Sequence, residues 1–210
     1  MHEVPPDSQE TQDLLQQIRA GERQAVEQLF ARHQAYLHRL VALRLDPRVR
    51  PRVDPADVVQ EVHLEALNRL ETYLQRPALP FRLWLRQIAL DRALKARRHH
   101  LHAGRRALGR EVPLPEGSSV LLARQLLAGG PTPSQQLDHR DLARCLRQAV
   151  AQLPQDDREI VMMRHFEGLS NQEVACLLGL APGTASKRHG RAMLRLHRIL
   201  SEGGLTESQL

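Results

Sequence analysis

Aromatic side chains are scarce in this chain: one tryptophan, two tyrosines and three phenylalanines among 210 residues. A core built with so few of them rests on Leu, Val, Ile, Ala and Met. The strict apolar alternation of half-buried strands is also hard to find, so an all-α fold is expected. No apolar run approaches the ~20 residues that a membrane-spanning helix needs. The N-terminal MHEVPPDSQE lacks the charged-then-apolar order of a secretory leader. The expected setting is cytoplasmic, with no membrane partner. Cysteine is nearly absent as well. Cys145 and Cys176 each fall inside an apolar helical pattern, where a reduced thiol serves as a small core residue rather than as half of a disulfide. Chemistry-bearing constellations are missing too: there is no P-loop, no nucleophile paired with a base and no metal triad. Neither an enzyme nor a cofactor is expected.

What is present is positive charge. Thirty Lys and Arg against twenty-four Asp and Glu give a net charge of +6 and a pI near 10.3. That balance calls for a polyanionic partner, nucleic acid first, and the even spread of acids argues against a disordered basic tail. The length suits two small domains better than one large one.

The chain is organised around LSNQEVACLLGLAPGTASKRHGRAMLRLHRIL, residues 169–200, which reads as a helix-turn-helix. Ser170 and Glu173 have capping-box spacing, in which the hydroxyl accepts from a first-turn N–H while the carboxylate reaches back. Val174, Ala175, Leu177 and Leu178 supply an inner surface, and Gly179 a left-handed exit. Pro182 suits the first position of a second helix. Ala185, His189, Ala192, Met193, Leu196, Ile199 and Leu200 then share one side, and Thr184, Lys187, Arg188, Arg191, Arg195 and Arg198 the other. No acid lies between Glu173 and Glu202. A helix with such a face can enter the major groove and neutralise phosphates, although a basic face solvated on one side is also common.

Ahead of this motif the chain reads as a series of helices. A short one over Thr11 to Ile18 is followed, after Gly21, by a longer amphipathic one over Glu22 to Leu45. A basic connector spans Arg48 to Val53. Asp54-Pro55-Ala56-Asp57 supplies an N-cap, a first-turn proline and a first-turn acid for a helix to about Tyr73. Its inner side is Val59, Val62, Ala66, Leu70 and Tyr73; its outer side carries Asp57, Gln60, Glu61, Leu64 and Asn68. Leu64 on that polar face fits a protein partner or a stray surface leucine equally well. Beyond a proline-interrupted loop, Gln75 to Pro80, a helix starts near Phe81, apolar on several sides through Leu83, Trp84, Leu85 and Ile88. It turns basic with Arg86, Arg92, Lys95, Arg97 and Arg98. His99, His100 and His102 extend that basic stretch and lack a Cys or carboxylate at ligand spacing, so no metal is expected. Glycine and proline mark 104–134 as a flexible linker. Domain two follows: Asp138 caps a helix through Leu142, Cys145, Leu146, Ala149 and Val150. A second helix, Gln155 to Phe166, buries Ile160, Val161, one of Met162 and Met163, and Phe166.

Three stretches, DPADVVQEVHLEAL, FRLWLRQIAL with its basic tail, and LPQDDREIVMMRHFEGLSNQEVACLLGLAPGTASKRHGRA, together resemble an RNA polymerase sigma factor of the extracytoplasmic-function class. They stand in the order that family shows, over about residues 10 to 202. The resemblance implies a transcription initiation factor with three parts. Residues 10–103 would bind core polymerase and melt the minus-10 element, 104–134 would be the linker, and 135–202 would read the minus-35 element. It implies that Asp57, Gln60, Glu61, Leu64 and Asn68 bind polymerase. Arg76, Phe81, Trp84, Arg92, Lys95, Arg97 and Arg98 would handle minus-10 DNA, and Thr184, Ser186, Lys187, Arg188, Arg191 and Arg195 minus-35 DNA. Partners are then core RNA polymerase and promoter DNA, with room for an anti-sigma factor. Asp91, Lys95, Ala181 and Gly190 depart from the family's usual residues and bear on base preference. The competing class is a stand-alone helix-turn-helix regulator of duplex DNA, which would need no face like that from Asp57 to Leu64. A structural helical adaptor comes third.

Overall fold

The computed structural model describes residues 5–101, 114–127 and 139–202. These are helical, without strands, and they divide into two compact units that meet in the sequence at 107/108. Asp138, residue 102 and the flanking parts of the expected linker lie outside the described residues.

The first unit contains α1 (Gln9–Arg19), α2 (Arg23–Arg44), α3 (Pro55–Gln75) and α4 (Phe81–Leu101). α2 packs against α1, α3 and α4, and α3 packs against α4. The expected cap opens α3: Asp54 accepts from the backbone N–H of Ala56 at 2.8 Å, with Pro55 in the first turn. The five residues expected on its inner side are all buried, together with Val58. The basic connector is less superficial than its charge suggests. Val49 within it is fully buried, as is Leu45 just ahead of it, so the turn anchors the end of α2. The few aromatics are concentrated here. Phe81 lies edge-on to Phe30 (6.1 Å between centroids) and Tyr73 (5.5 Å), and Tyr73 stacks on Trp84 at 4.6 Å. Such pairs add about 0.5–1.5 kcal/mol each beyond the area they bury.

The second unit holds α5 (Glu116–Leu127), α6 (His139–Gln152), α7 (Gln155–Val161), α8 (Asn171–Leu178) and α9 (Pro182–Leu200). α5 stands inside the interval expected to be a linker. Pro115 precedes its first turn, Ser119 is buried with its hydroxyl donating to the Pro115 carbonyl at 2.8 Å, and Val120, Leu122 and Ala123 are buried as the helix packs on α6. Local breaker density was outweighed by this apolar face. The helix expected over Gln155 to Phe166 changes pitch midway: Met162–Phe166 form a π-helical turn closed by Glu167 N–H to the Met162 carbonyl at 3.0 Å. The wider turn buries both Met162 and Met163, and Phe166 stays half-buried. The guanidinium of Arg158 donates to the carbonyls of Val150 (3.2 Å), Ala151 (2.7 Å) and Leu153 (2.9 Å), satisfying orphan acceptors where α6 ends. Cys145 and Cys176 are free and half-buried rather than fully in the core, and burial raises the Cys176 thiol above its ordinary pKa.

Four histidines, His33, His63, His165 and His189, are held below their ordinary pKa by burial and tie stability to pH, two of them strongly. Burial, then the charges of Arg32 and Arg82, lowers His33 from 6.5 to about 4. Burial, then His189 and Arg164, does the same to His165. The Nε2 atoms of His165 and His189 lie 2.9 Å apart, an arrangement that needs one ring to donate and the other to accept. Between pH 4 and 6.5 the unfolded chain therefore binds more protons than the folded one, and stability rises with pH across that window. Melting temperature is expected to fall as pH drops from 6.5 to about 4, most steeply in the wild type and less so in His33→Gln. A flat profile in the wild type would contradict the neutral assignment.

Candidate nucleic-acid interface and partner-binding face

The helix-turn-helix is built as its residues dictate. Ser170 Oγ accepts from the Glu173 N–H at 3.1 Å, and the Glu173 carboxylate accepts from the Ser170 N–H at 2.7 Å. α8 ends at Gly179 with φ of +63°, a conformation that costs other residues a Cβ clash with the backbone. Leu177 and Leu178 are half-buried, while Val174 and Ala175 are fully so. Ala181 offers α9 no side-chain cap; separately, the Asn171 amide of α8 donates to the Pro182 carbonyl at 2.8 Å, which pins the turn between the helices.

α9 buries Ala185, Ala192, Leu196 and Leu200 and half-buries His189, Met193 and Ile199. On the other side Thr184, Ser186, Lys187, Arg191 and Arg195 are exposed. The sequence suggests an unopposed cationic face, but the fold brings acids to it. From the first turn of α7, Asp156 pairs with Arg188 at 2.5 Å and Asp157 pairs with Arg195. Arg188 is thereby half-buried, and a cleft forms with Pro154, Asp156 and Asp157 on one wall and Thr184, Arg188, Arg191 and Arg195 on the other. Leu194, unremarked in the sequence, stands 72% exposed beside these arginines.

In the first unit, Asp57, Gln60, Glu61, Leu64 and Asn68 share the exposed side of α3. Leu64 is 63% exposed and Leu67, which sequence reasoning passed over, is 45% exposed. Their spacing of three residues was the available signal. Glu61 also lies 3.5 Å from Arg92 of α4, and Arg92 pairs with Glu65 of α3 as well. Arg92, expected at minus-10 DNA, thus also joins two helices.

The other expected minus-10 residues separate into two groups. Phe81 is completely buried and belongs to the core, because the helix start that exposes it to DNA in the linear reading is packed against α2 and α3. Arg86, counted with the basic surface, is also buried. Arg76, Lys95, Arg97 and Arg98 are exposed, and Trp84 is half-buried with one face against Tyr73. The remaining surface thus combines an aromatic ring with scattered cations, suited to stacking and phosphate contact rather than to base-edge readout.

Comparison with known proteins agrees with this architecture. Residues 143–196 match the family described as Sigma-70, region 4. RNA polymerase sigma factor CarQ of Myxococcus xanthus is 30% identical over 192 residues, spanning 90% of this chain and 96% of that protein. The ECF RNA polymerase sigma-E factor of Escherichia coli K12 is 27% identical, spanning 86% and 89%. A probable RNA polymerase sigma factor, RfaY of Xanthomonas campestris, is 34% identical over 65% of this chain, which spans only 31% of its length. Among solved structures, CnrH in complex with the cytosolic domain of CnrY aligns over 92% of this chain and 98% of that one, with a TM-score of 0.53 and 26% identity. A two-unit helical chain with a basic helix-turn-helix and near-full-length similarity to CarQ belongs to the RNA polymerase sigma factors of the extracytoplasmic-function class, which direct core polymerase to promoters.

Proposed function

We propose a division of labour between the two units. The first binds core polymerase through Asp57, Gln60, Glu61, Leu64, Leu67 and Asn68, and handles the minus-10 element through Arg76, Trp84, Lys95, Arg97 and Arg98. The second reads the minus-35 element with Thr184, Ser186, Lys187, Arg188, Arg191 and Arg195. The observation that carries this reading is the exposed leucine pair on the otherwise polar outer side of α3. An apolar patch rimmed by acids and amides suits a protein surface, and a regulator acting on duplex DNA alone has no use for one. The factor works beside polymerase in the cytoplasm and performs no chemical step itself. Because the similar CnrH was solved with the cytosolic domain of CnrY, an inhibitory protein partner of the anti-sigma kind belongs to the proposal.

Run-off transcription with core polymerase and a promoter library tests it. The expected result is initiation at a defined subset of promoters, lost when Leu64 and Leu67 are both changed to Glu. Absence of any specific transcript, or full activity of that double variant, would overturn the assignment.

A further inference from the structure

α4 starts without a cap of its own. The residue before Phe81 is Pro80, whose ring offers no acceptor, and the loop 76–80 contains no Ser, Thr, Asp or Asn. The missing acceptor arrives from the far N-terminal end of the sequence: Oδ2 of Asp7 accepts from the Phe81 N–H at 2.9 Å. A carboxylate there satisfies an orphan donor and meets the positive end of the helix. Asp7 is itself fixed. The Gln12 side-chain amide donates to its carbonyl at 2.7 Å, the hydroxyls of Ser8 and Thr11 bond at 3.0 Å, and Pro5 is buried. The loop is anchored at a second point, where the Tyr73 hydroxyl donates to the Leu79 carbonyl at 3.0 Å. Burial, then the charge of Asp7, raises the Tyr73 phenol above its ordinary pKa and keeps it a donor.

We propose that Asp7 is a positioning residue for promoter specificity: by capping α4 from the N-terminal arm, it sets the shape of the loop 76–80 and the placement of Trp84, against which an unpaired minus-10 base is held. The inference rests on the minus-10 role given to this loop above. It adds residues 5–8 to the promoter-opening unit.

Trp84 is the chain's single tryptophan, so its fluorescence reports this corner of the protein independently of any promoter. In full-length protein, Asp7→Ala should raise acrylamide quenching of Trp84. In holoenzyme on a promoter identified by run-off transcription, it should reduce the preference for the intact minus-10 element over single-base variants by about fivefold, read as open complex. Asp7→Asn, which keeps an acceptor, should restore most of both signals. Affinity for core polymerase and for minus-35 duplex should stay within about twofold. Unchanged minus-10 preference in Asp7→Ala overturns the proposal, as does a loss shared equally by core binding, which would mark a general folding defect. Trp84→Ala separates the two levels. If it lowers minus-10 preference while Asp7→Ala does not, the role of Asp7 is wrong; if it too leaves it intact, the reading of the loop is wrong.

Discussion

Replacing Phe81 with alanine is expected to destabilise the first unit by about 3–5 kcal/mol, the usual consequence of emptying a large aromatic site in a packed core. Phe81 is wholly buried, and its ring touches those of Phe30, His33, Tyr73 and Trp84, so no single neighbour can collapse into the space it leaves. Phe81→Leu, which keeps most of the apolar volume, should cost roughly a third as much. Urea denaturation followed by Trp84 fluorescence measures both, because Trp84 reports the unit that contains the substitution. If Phe81 instead stacked on an unpaired promoter base, alanine would leave the denaturation midpoint unchanged and abolish promoter opening alone. That outcome would return Phe81 to the DNA surface.

If Arg188 reads a base edge of the minus-35 element as proposed, its loss is expected to remove about 1–3 kcal/mol of discrimination at that base. Loss of Arg97 should weaken all sequences alike. The contrast follows from placement. Arg188 lies on the first half of α9 in the wall of a cleft, and its pairing with Asp156 at 2.5 Å limits the directions its guanidinium can take. Arg97 is exposed in the last turns of α4, where its charge acts on the Asp46 carboxylate of its own unit. Titrating Arg188→Ala and Arg97→Ala holoenzymes against matched and scrambled promoters distinguishes them. An equal loss across sequences for Arg188→Ala, or a changed minus-35 preference for Arg97→Ala, would reverse the assignment.

Much of the helix-turn-helix was legible because its determinants are local. A capping box spans four residues, a left-handed glycine one, and a first-turn proline one, and each does here what its chemistry requires. The cap of α3 at Asp54 was legible for the same reason. Features set by distant partners left no comparable trace. The cap of α4 comes from Asp7, the acids facing α9 come from α7, and the Arg92 pairs join helices nearly thirty residues apart in sequence. α5 was hidden by its flanks: prolines and glycines around Glu116–Leu127 outweigh, in any local count, the apolar run that packs on α6. Phe81 was misplaced because position in a helix that carries cations says nothing about which side of that helix a given ring occupies.

The carboxylates of Asp156 and Asp157 change how many of the cations on α9 face a phosphate backbone. Three guanidiniums are already paired with carboxylates, Arg198 with Glu202 at 3.8 Å being the third, so in the proposed minus-35 role the number of counterions displaced from DNA is set by Lys187 and Arg191 together with whatever fraction of Arg188, Arg195 and Arg198 exchanges a carboxylate for a phosphate. Affinity for arbitrary DNA is then shallower in its dependence on salt than the count of basic residues implies. In the minus-35 role proposed for it, Arg188 must exchange Asp156 for DNA, a competition that an unpaired arginine would not meet.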